Sequence, residues 1–282
     1  MSHALSSAAS AAAARGAVAA DIEFLVPAAG QPFVYADEPA AGAPPASARF
    51  ESRRVPVADV RDGAGLSLEA NGAALVRQRT VVRDFYDDDQ LTGRYYPECA
   101  DIIRAALGAT RVVVFDHNVR RGERLALRPD RYDQGRPAYH AHTDYTPASA
   151  RRRLGEEFGA AAAALARRRW LQVNLWRPLR APLRDAPLAL CDGASLAAAA
   201  LWPTELRYPD RCGEIYYLAH EPGQRWHYAS DMDTDELWLI KNFDSLATGR
   251  VAPHSAFVNP RRHRHVPPRE SIEVRAFAFF DG

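Results

Sequence analysis

Residues 171–176 read Leu171-Gln172-Val173-Asn174-Leu175-Trp176, an alternation of apolar side chains with amides. A period of two belongs to a β-strand and sets Gln172 and Asn174 on one face, with Leu171, Val173 and Leu175 on the other. Working outward, Arg111-Val112-Val113-Val114-Phe115-Asp116 reads as a short β-branched strand. Leu188 to Asp192, Leu237 to Ile240 and Ser271 to Phe280 read as further strands, and Val55 to Val60 as an extended segment. Tyr96-Pro97-Glu98 opens a helix with proline in its first turn; Ile102, Ile103, Ala106 and Leu107 mark its buried stripe and Gly108 its left-handed cap. Ser149 to Arg168 is the longest predicted helix, with Leu154, Phe158, Ala161, Ala162 and Leu165 at helical spacing. Strands dominate from about residue 110 onward. The expected architecture is a mainly β (α+β) chain, a β-sandwich or jelly roll with flanking helices.

Residues 1–20 are rich in Ala and Ser and read as a frayed tail, leaving residues 21–282 as a single domain. A Pro/Gly/Ala loop at 36–48 sets off a short N-terminal strand. A formal net charge of +1 provides no field to gather nucleic acid or a membrane surface, and no apolar run approaches the ~18 residues of a span. Three scattered cysteines, Cys99, Cys191 and Cys212, argue against a disulfide framework and for a cytoplasmic setting. The expected partners are a small-molecule substrate and O₂, with a homodimer left open.

The chemistry concentrates in Tyr139-His140-Ala141-His142-Thr143-Asp144 and, far downstream, His254. On a strand, His142 and Asp144 point to the same side and can share one ion. Two imidazoles and a carboxylate form the facial ligand set of non-haem Fe(II) oxygenases, which leaves coordination positions open for co-substrate and O₂. Arg269-Glu270-Ser271 begins fifteen positions after His254 (269 − 254) and offers a forked cation and a hydroxyl, the pair a dicarboxylate co-substrate needs. His254 is chosen over His220, His227, His263 and His265 because of that spacing and because Arg261, Arg262 and Arg264 surround the last two. Ser271, Glu273 and Arg275 share parity with Arg269, so Arg275 is a reserve for the carboxylate; Asn174 and Lys241 are weaker candidates by strand position. Two other readings compete. His140, His142 and Asp144 open a zinc-hydrolase motif, although Tyr145 stands where that motif continues with histidine. A cupin-like sandwich could also bind a metal or small ligand without redox turnover.

Several further stretches carry a resemblance: Arg83-Asp84-Phe85-Tyr86, Val114 to Arg121, His142 to Pro147, Asn174 to Leu179, Lys241 to Ser245, Pro253 to Phe257 and Arg269 to Arg275. Over roughly residues 20–281 the chain resembles the Fe(II)/2-oxoglutarate hydroxylase/desaturase family that includes a gibberellin desaturase, novofumigatonin endoperoxide synthase and a cephamycin methoxylation component. The resemblance implies a double-stranded β-helix core and iron bound by His142, Asp144 and His254. It also implies that Arg269 and Ser271 hold 2-oxoglutarate, which is decarboxylated to succinate and CO₂ as substrate is hydroxylated or desaturated. The Arg/His-rich run at 261–265 departs from the family pattern.

Overall fold

In a computed structural model the described residues are 16–36, 42–63, 65–121, 137–262 and 265–281. Fourteen strands are found among them. In chain order they are β1 (Val18–Leu25), β2 (Phe33–Tyr35), β3 (Phe50–Asp59), β4 (Ala73–Arg77), β5 (Arg111–Arg121), β6 (His142–Thr143) and β7 (Trp170–Pro178). They continue with β8 (Leu188–Cys191), β9 (Leu201–Arg207), β10 (Cys212–Leu218), β11 (Trp226–Tyr228), β12 (Glu236–Asp244), β13 (His254–Ala256) and β14 (Glu270–Phe279). Nine of them form one sheet in the order β1-β3-β11-β8-β13-β6-β10-β9-β2, and five form the other in the order β4-β12-β7-β14-β5. The result is the double-stranded β-helix, or jelly roll, with few helices.

The alternation in β7 decides how the five-stranded sheet is used. Leu171, Val173 and Leu175 join Ile272, Val274, Ala276 and Ala278 of β14 in a core on the outer face, against helix α1 (Tyr96–Leu107) with its buried Cys99 and Ile103. The opposite parity, Trp170, Gln172, Asn174 and Trp176 in β7 with Glu273, Arg275 and Phe277 in β14, faces the nine-stranded sheet. All nine residues of β7 and of β12 are buried, so the amide face is an interior polar face, where a sequence reading would allow it to meet water. Between the sheets a third core gathers Trp176, Leu188, Leu190, Trp238 and Ile240.

Helix α2 (Pro147–Phe158) corrects the expected Ser149–Arg168 helix. It starts two residues earlier because Thr146 caps it, accepting from the Ser149 N–H while Ser149 returns a bond to the Thr146 backbone. It stops at Phe158 because Gly159 takes φ 50°, ψ −126°, and the chain resumes only as the short helix α3 (Ala162–Leu165). Ala150 and Leu154 of α2 pack on Trp170, Phe243 and Phe277. Strand β5 runs five residues past the expected Asp116 end. Strand β1 claims Val18 to Ala20 from the expected tail, whose first fifteen residues lie outside those described, as do residues 37–41 of the expected loop.

Gly72 makes a contact that bears on the metal-site strand. It closes the one-turn helix Leu68–Asn71 at φ 79°, and its carbonyl accepts from the Lys241 N–H of β12. A Cβ there would lie 2.7 Å from the Val251 carbonyl carbon and 2.9 Å from the Ala252 nitrogen. Both the left-handed backbone and the contact with main chain oppose a side chain, and Ala252 lies two residues before His254. Gly72→Ala is expected to destabilise the protein by about 2 kcal/mol or more, read from chemical denaturation. An unchanged midpoint would show that the 251–252 backbone yields freely.

Candidate metal centre and co-substrate pocket

β-Sheet register brings the two histidines together. His254 of β13 pairs directly opposite His142 of β6 in an antiparallel ladder, and the ring centroids are 4.5 Å apart. Asp144 lies two residues past His142 and returns to the same side. One ligand atom from each of His142, Asp144 and His254 lies within 4.8 Å of the others, and no other such group of three metal-ligating side chains occurs among the described residues. His142 Nε2 is 3.5 Å from Asp144 Oδ1, near the ~3 Å separation of adjacent ligands on bonds of about 2.1 Å.

Each ligand is oriented by the protein. His142 Nδ1 donates to the His140 carbonyl at 2.7 Å, and His254 Nδ1 points at the Ala252 carbonyl at 3.3 Å, so both Nε2 atoms are left for an ion. Burial and the neighbouring His142 lower the His254 pKa to about 4, which keeps the ring neutral, the form that binds a metal. Asp144 is tied to the opposite sheet: its Oδ2 accepts from Asn174 Nδ2 at 2.8 Å and Arg275 Nε at 3.0 Å, and its backbone N–H donates to Asn242 Oδ1 at 3.0 Å. Burial alone would raise the Asp144 pKa; the Arg275 charge and the contacts with His142 and His254 overcome it and hold the carboxyl well below the usual carboxylate range.

Arg275 and Asn174 therefore stand elsewhere than expected. The sequence reading treated both as co-substrate contacts. In the structure the Arg275 guanidinium meets Asp144, Asp116 at 3.0 Å and Glu273 at 3.4 Å, while Asn174 Nδ2 bridges Asp144 and Glu273 Oε1. They brace the Asp144 carboxylate. Lys241 is fully buried and its ammonium is paired with Asp244 at 3.0 Å. His140 stacks flat on Phe50, with centroids 3.7 Å apart, and is not one of the converging three, which leaves the zinc-hydrolase arrangement without its second histidine. His220 packs edge-on against Phe24. His263 and Arg264 lie outside the described residues, and Arg262 pairs with Asp185 at 2.6 Å.

Arg269 sits beside the metal-ligand cluster. It is buried; its Nη1 donates to the Ala186 carbonyl at 2.8 Å, its backbone N–H to Asp185 Oδ2 at 3.1 Å, and its guanidinium carbon lies 5.4 Å from the Trp176 ring centroid. Burial, reinforced by the nearby charge of Arg120, lowers its pKa to about 9, so it remains a cation at neutral pH. Arg269 Nε and Ser271 Oγ are buried with no hydrogen-bond partner in the protein. Two unpartnered donors beside two histidines fit a carboxylate ligand, since an orphaned buried donor otherwise costs about 1–3 kcal/mol. A small cavity of about 20 Å³ lies among His142, His254, Trp176, Arg269, Glu273 and Arg120. It adjoins an open cavity of about 620 Å³ lined by His140, Asp144, Tyr145, Tyr217 and Arg275 among others. Trp226 and Trp238 are buried, Trp176 lines the small cavity, and Tyr145 and Tyr217 line the large one.

The sequence reading missed Asp116, Asn118 and Arg120. Strand β5 was ended at Asp116, yet these three stand opposite Arg275, Glu273 and Ser271 on β14. Their polar alternation continues along the strand and was the available signal.

A jelly roll that brings together two histidines, an aspartate and an Arg/Ser couple with unpartnered donors fits the class of non-haem Fe(II)/2-oxoglutarate oxygenases. Comparison with known proteins agrees. Residues 22–279 match a family described as oxidoreductase/YMDC permease-like domain. The chain is 34% identical over 256 residues to a hydroxylase/desaturase, efuI, of Hormonema carpetanum, covering 83% of this chain and 85% of that one. It is 33% identical to the Fe(II)/2-oxoglutarate-dependent dioxygenase nvfI of Aspergillus novofumigatus, over 68% of this chain and 69% of that one. The solved structure of the iron and alpha-ketoglutarate-dependent endoperoxidase NvfI superimposes with a TM-score of 0.85 at 25% identity, covering 95% and 99% of the two chains. The chain belongs to the Fe(II)/2-oxoglutarate-dependent hydroxylase/desaturase family. Among the described residues no helix is long and apolar enough to cross a membrane.

Because Arg275 fixes Asp144 from behind and balances its charge, Arg275→Met is expected to weaken Fe(II) binding of the folded protein about 10- to 100-fold, measured by anaerobic titration, and to lower apo-protein stability by about 3 kcal/mol. Unaltered iron affinity would show that Asn174 alone suffices to aim the carboxylate.

Proposed function

We propose that His142 Nε2, His254 Nε2 and Asp144 Oδ1 hold Fe(II), that Arg269 and Ser271 seat the distal carboxylate of 2-oxoglutarate, and that the chain hydroxylates or desaturates a small molecule, consistent with secondary metabolism. The observation that carries this reading is the register pairing of His142 with His254, with Asp144 on the same side and the unpartnered Arg269 Nε and Ser271 Oγ close by. Bound there, ferrous iron and the keto acid would supply O₂ activation for oxidation of a substrate C–H bond, with succinate and CO₂ as the co-products.

The residues contribute in separable ways. The two histidines, aimed by carbonyls, leave one face of the site toward the cavities. Arg275 holds Asp144 ionised, and Asn174 helps to direct it. Arg269, fixed by Ala186 and Trp176, orients the co-substrate, and Trp176 and Leu188 keep water from its flank. The 620 Å³ cavity is in the range that holds a drug-sized ligand, and its position beside Asp144 supports a substrate presented to the iron. The three cysteines, all unpaired, are compatible with a cytoplasmic enzyme, and the sheet-to-sheet ties support treating residues 21–282 as one catalytic domain.

His142→Ala is expected to abolish iron binding and succinate formation. Wild-type protein mixed with Fe(II) and 2-oxoglutarate under argon is expected to show the visible metal-to-ligand charge-transfer band, and Arg269→Ala to demand about 10- to 100-fold more 2-oxoglutarate for the same band. A protein that binds Fe(II) but develops no band is a metal-binding jelly roll without this co-substrate.

A further inference from the structure

The two cavities share a wall. Three residues line both of them: Ala138, His142 and Arg120. Ala138 has no reach and His142 is fixed by its ring bond and its place in the ligand cluster. Arg120 alone of the three carries a long, flexible side chain.

Its placement follows from register. Arg120 of β5 stands directly opposite Ser271 of β14, so the two side chains leave the sheet on the same face about 5 Å apart at Cβ. Arg269 lies two residues before Ser271 on the same side. Ser271, whose Oγ is unpartnered, thus shares a face with two arginines, one buried and one half-buried.

Size sharpens the point. The small cavity, at about 20 Å³, has room for about one water molecule. A five-carbon keto diacid is many times larger, so seating it between the histidines and Arg269 requires a neighbouring group to move. Trp176 and Leu188 are packed in the inter-sheet core, and Glu273 is held by Asn174 and Arg275. Arg120 is the group able to swing. It has interactions within the protein, and an incoming dianion would compete with them.

We propose that Arg120 is the second cation of the co-substrate site, closing on the distal carboxylate of 2-oxoglutarate from the side opposite Arg269. This rests on the keto-diacid reading given above and adds a residue from a different strand to it. Two forked cations converging on one carboxylate, with a hydroxyl between them, would select a diacid over a monoacid and would place a charged side chain on the partition between co-substrate and substrate.

The test uses the full chain, loaded with Fe(II) under argon and titrated with 2-oxoglutarate or with 2-oxobutanoate, which lacks the distal carboxylate. Arg120→Gln is expected to raise the 2-oxoglutarate dissociation constant about tenfold or more while leaving that for 2-oxobutanoate within about twofold of wild type. Arg120→Lys, which keeps the charge but not the fork, should fall between. Iron affinity, measured separately without keto acid, should not move. Equal weakening of both acids would assign Arg120 a structural role and overturn the proposal. So would an unchanged 2-oxoglutarate affinity in a background where Arg269→Ala still weakens it, an outcome that leaves the oxygenase reading intact. If neither arginine matters, the co-substrate pocket itself has been misplaced. Should the glutamine variant fail to fold, the lysine variant compared across the two acids decides the same question through the diacid-to-monoacid ratio.

Discussion

The pairing of His254 with His142 across β13 and β6 is the constraint on which the site depends. Side chains on a strand alternate faces, so a slip of one residue would turn His254 away from His142 and leave Asp144 with a single imidazole. The slip is prevented by what flanks the pair. Ser255 and Ala256 continue the ladder onto Ala189 and Leu188 of β8, Ser255 Oγ donates to the Tyr139 carbonyl at 2.7 Å, and the Ala256 N–H binds the Ala138 carbonyl. Each strand involved is only two to four residues long, and short strands pair weakly alone. Their register is fixed by neighbours on both sides.

The second constraint crosses between the sheets. His142 and His254 belong to the nine-stranded sheet, whereas Asn174 and Arg275 belong to the five-stranded one, and Asp144 is where they meet. Burying this many charges is costly unless they balance. Asp144 and Glu273 are balanced by Arg275 and Arg269, so the buried protein groups are neutral among themselves. A divalent ion alone leaves the set with two positive charges, a doubly negative keto acid alone with two negative ones, and the two together restore neutrality. Arg120 and the half-exposed Asp116 leave that balance unchanged as a pair. The donor set thus fits both missing components together better than either alone, which agrees with the unpartnered donors at Arg269 and Ser271.

Much of this was legible in the sequence because it rests on short-range parity. His142 and Asp144 are two apart, Arg269 and Ser271 are two apart, and the Gln172/Asn174 face follows from one six-residue alternation. What parity cannot give is which polar residue of an inward face meets which ligand. Arg275 lies on the expected face but too far along β14, beside Asp144, so its charge serves that carboxylate. Asn174 follows it because the two are opposite each other in the β14–β7 ladder. Arg120 escaped notice for a related reason: its relevance depends on lying across from Ser271, a pairing between residues 151 positions apart (271 − 120). Helix α2 shows a different limit. The apolar stripe continued past Phe158, but Gly159 in a conformation that side chains disfavour overrode it.

The backbone around Arg269 indicates how far the pocket is built in advance. Ala186 holds φ 44°, a conformation that costs a non-glycine residue on the order of 1–2 kcal/mol. Its carbonyl is the acceptor for Arg269 Nη1, while Asp185 before it accepts the Arg269 N–H and anchors Arg262. Relaxing Ala186 would redirect that carbonyl and release the guanidinium to compete with Asn174 and Arg275 for Glu273, the acid that lines the small cavity. Such a pairing would satisfy Arg269 at the expense of the co-substrate. The strained carbonyl instead holds one edge of the guanidinium and leaves Nε without a partner, so the favourable contact is still unmade when the ligand arrives. Local strain and an unsatisfied donor, each unfavourable alone, together keep the cation available for an anion.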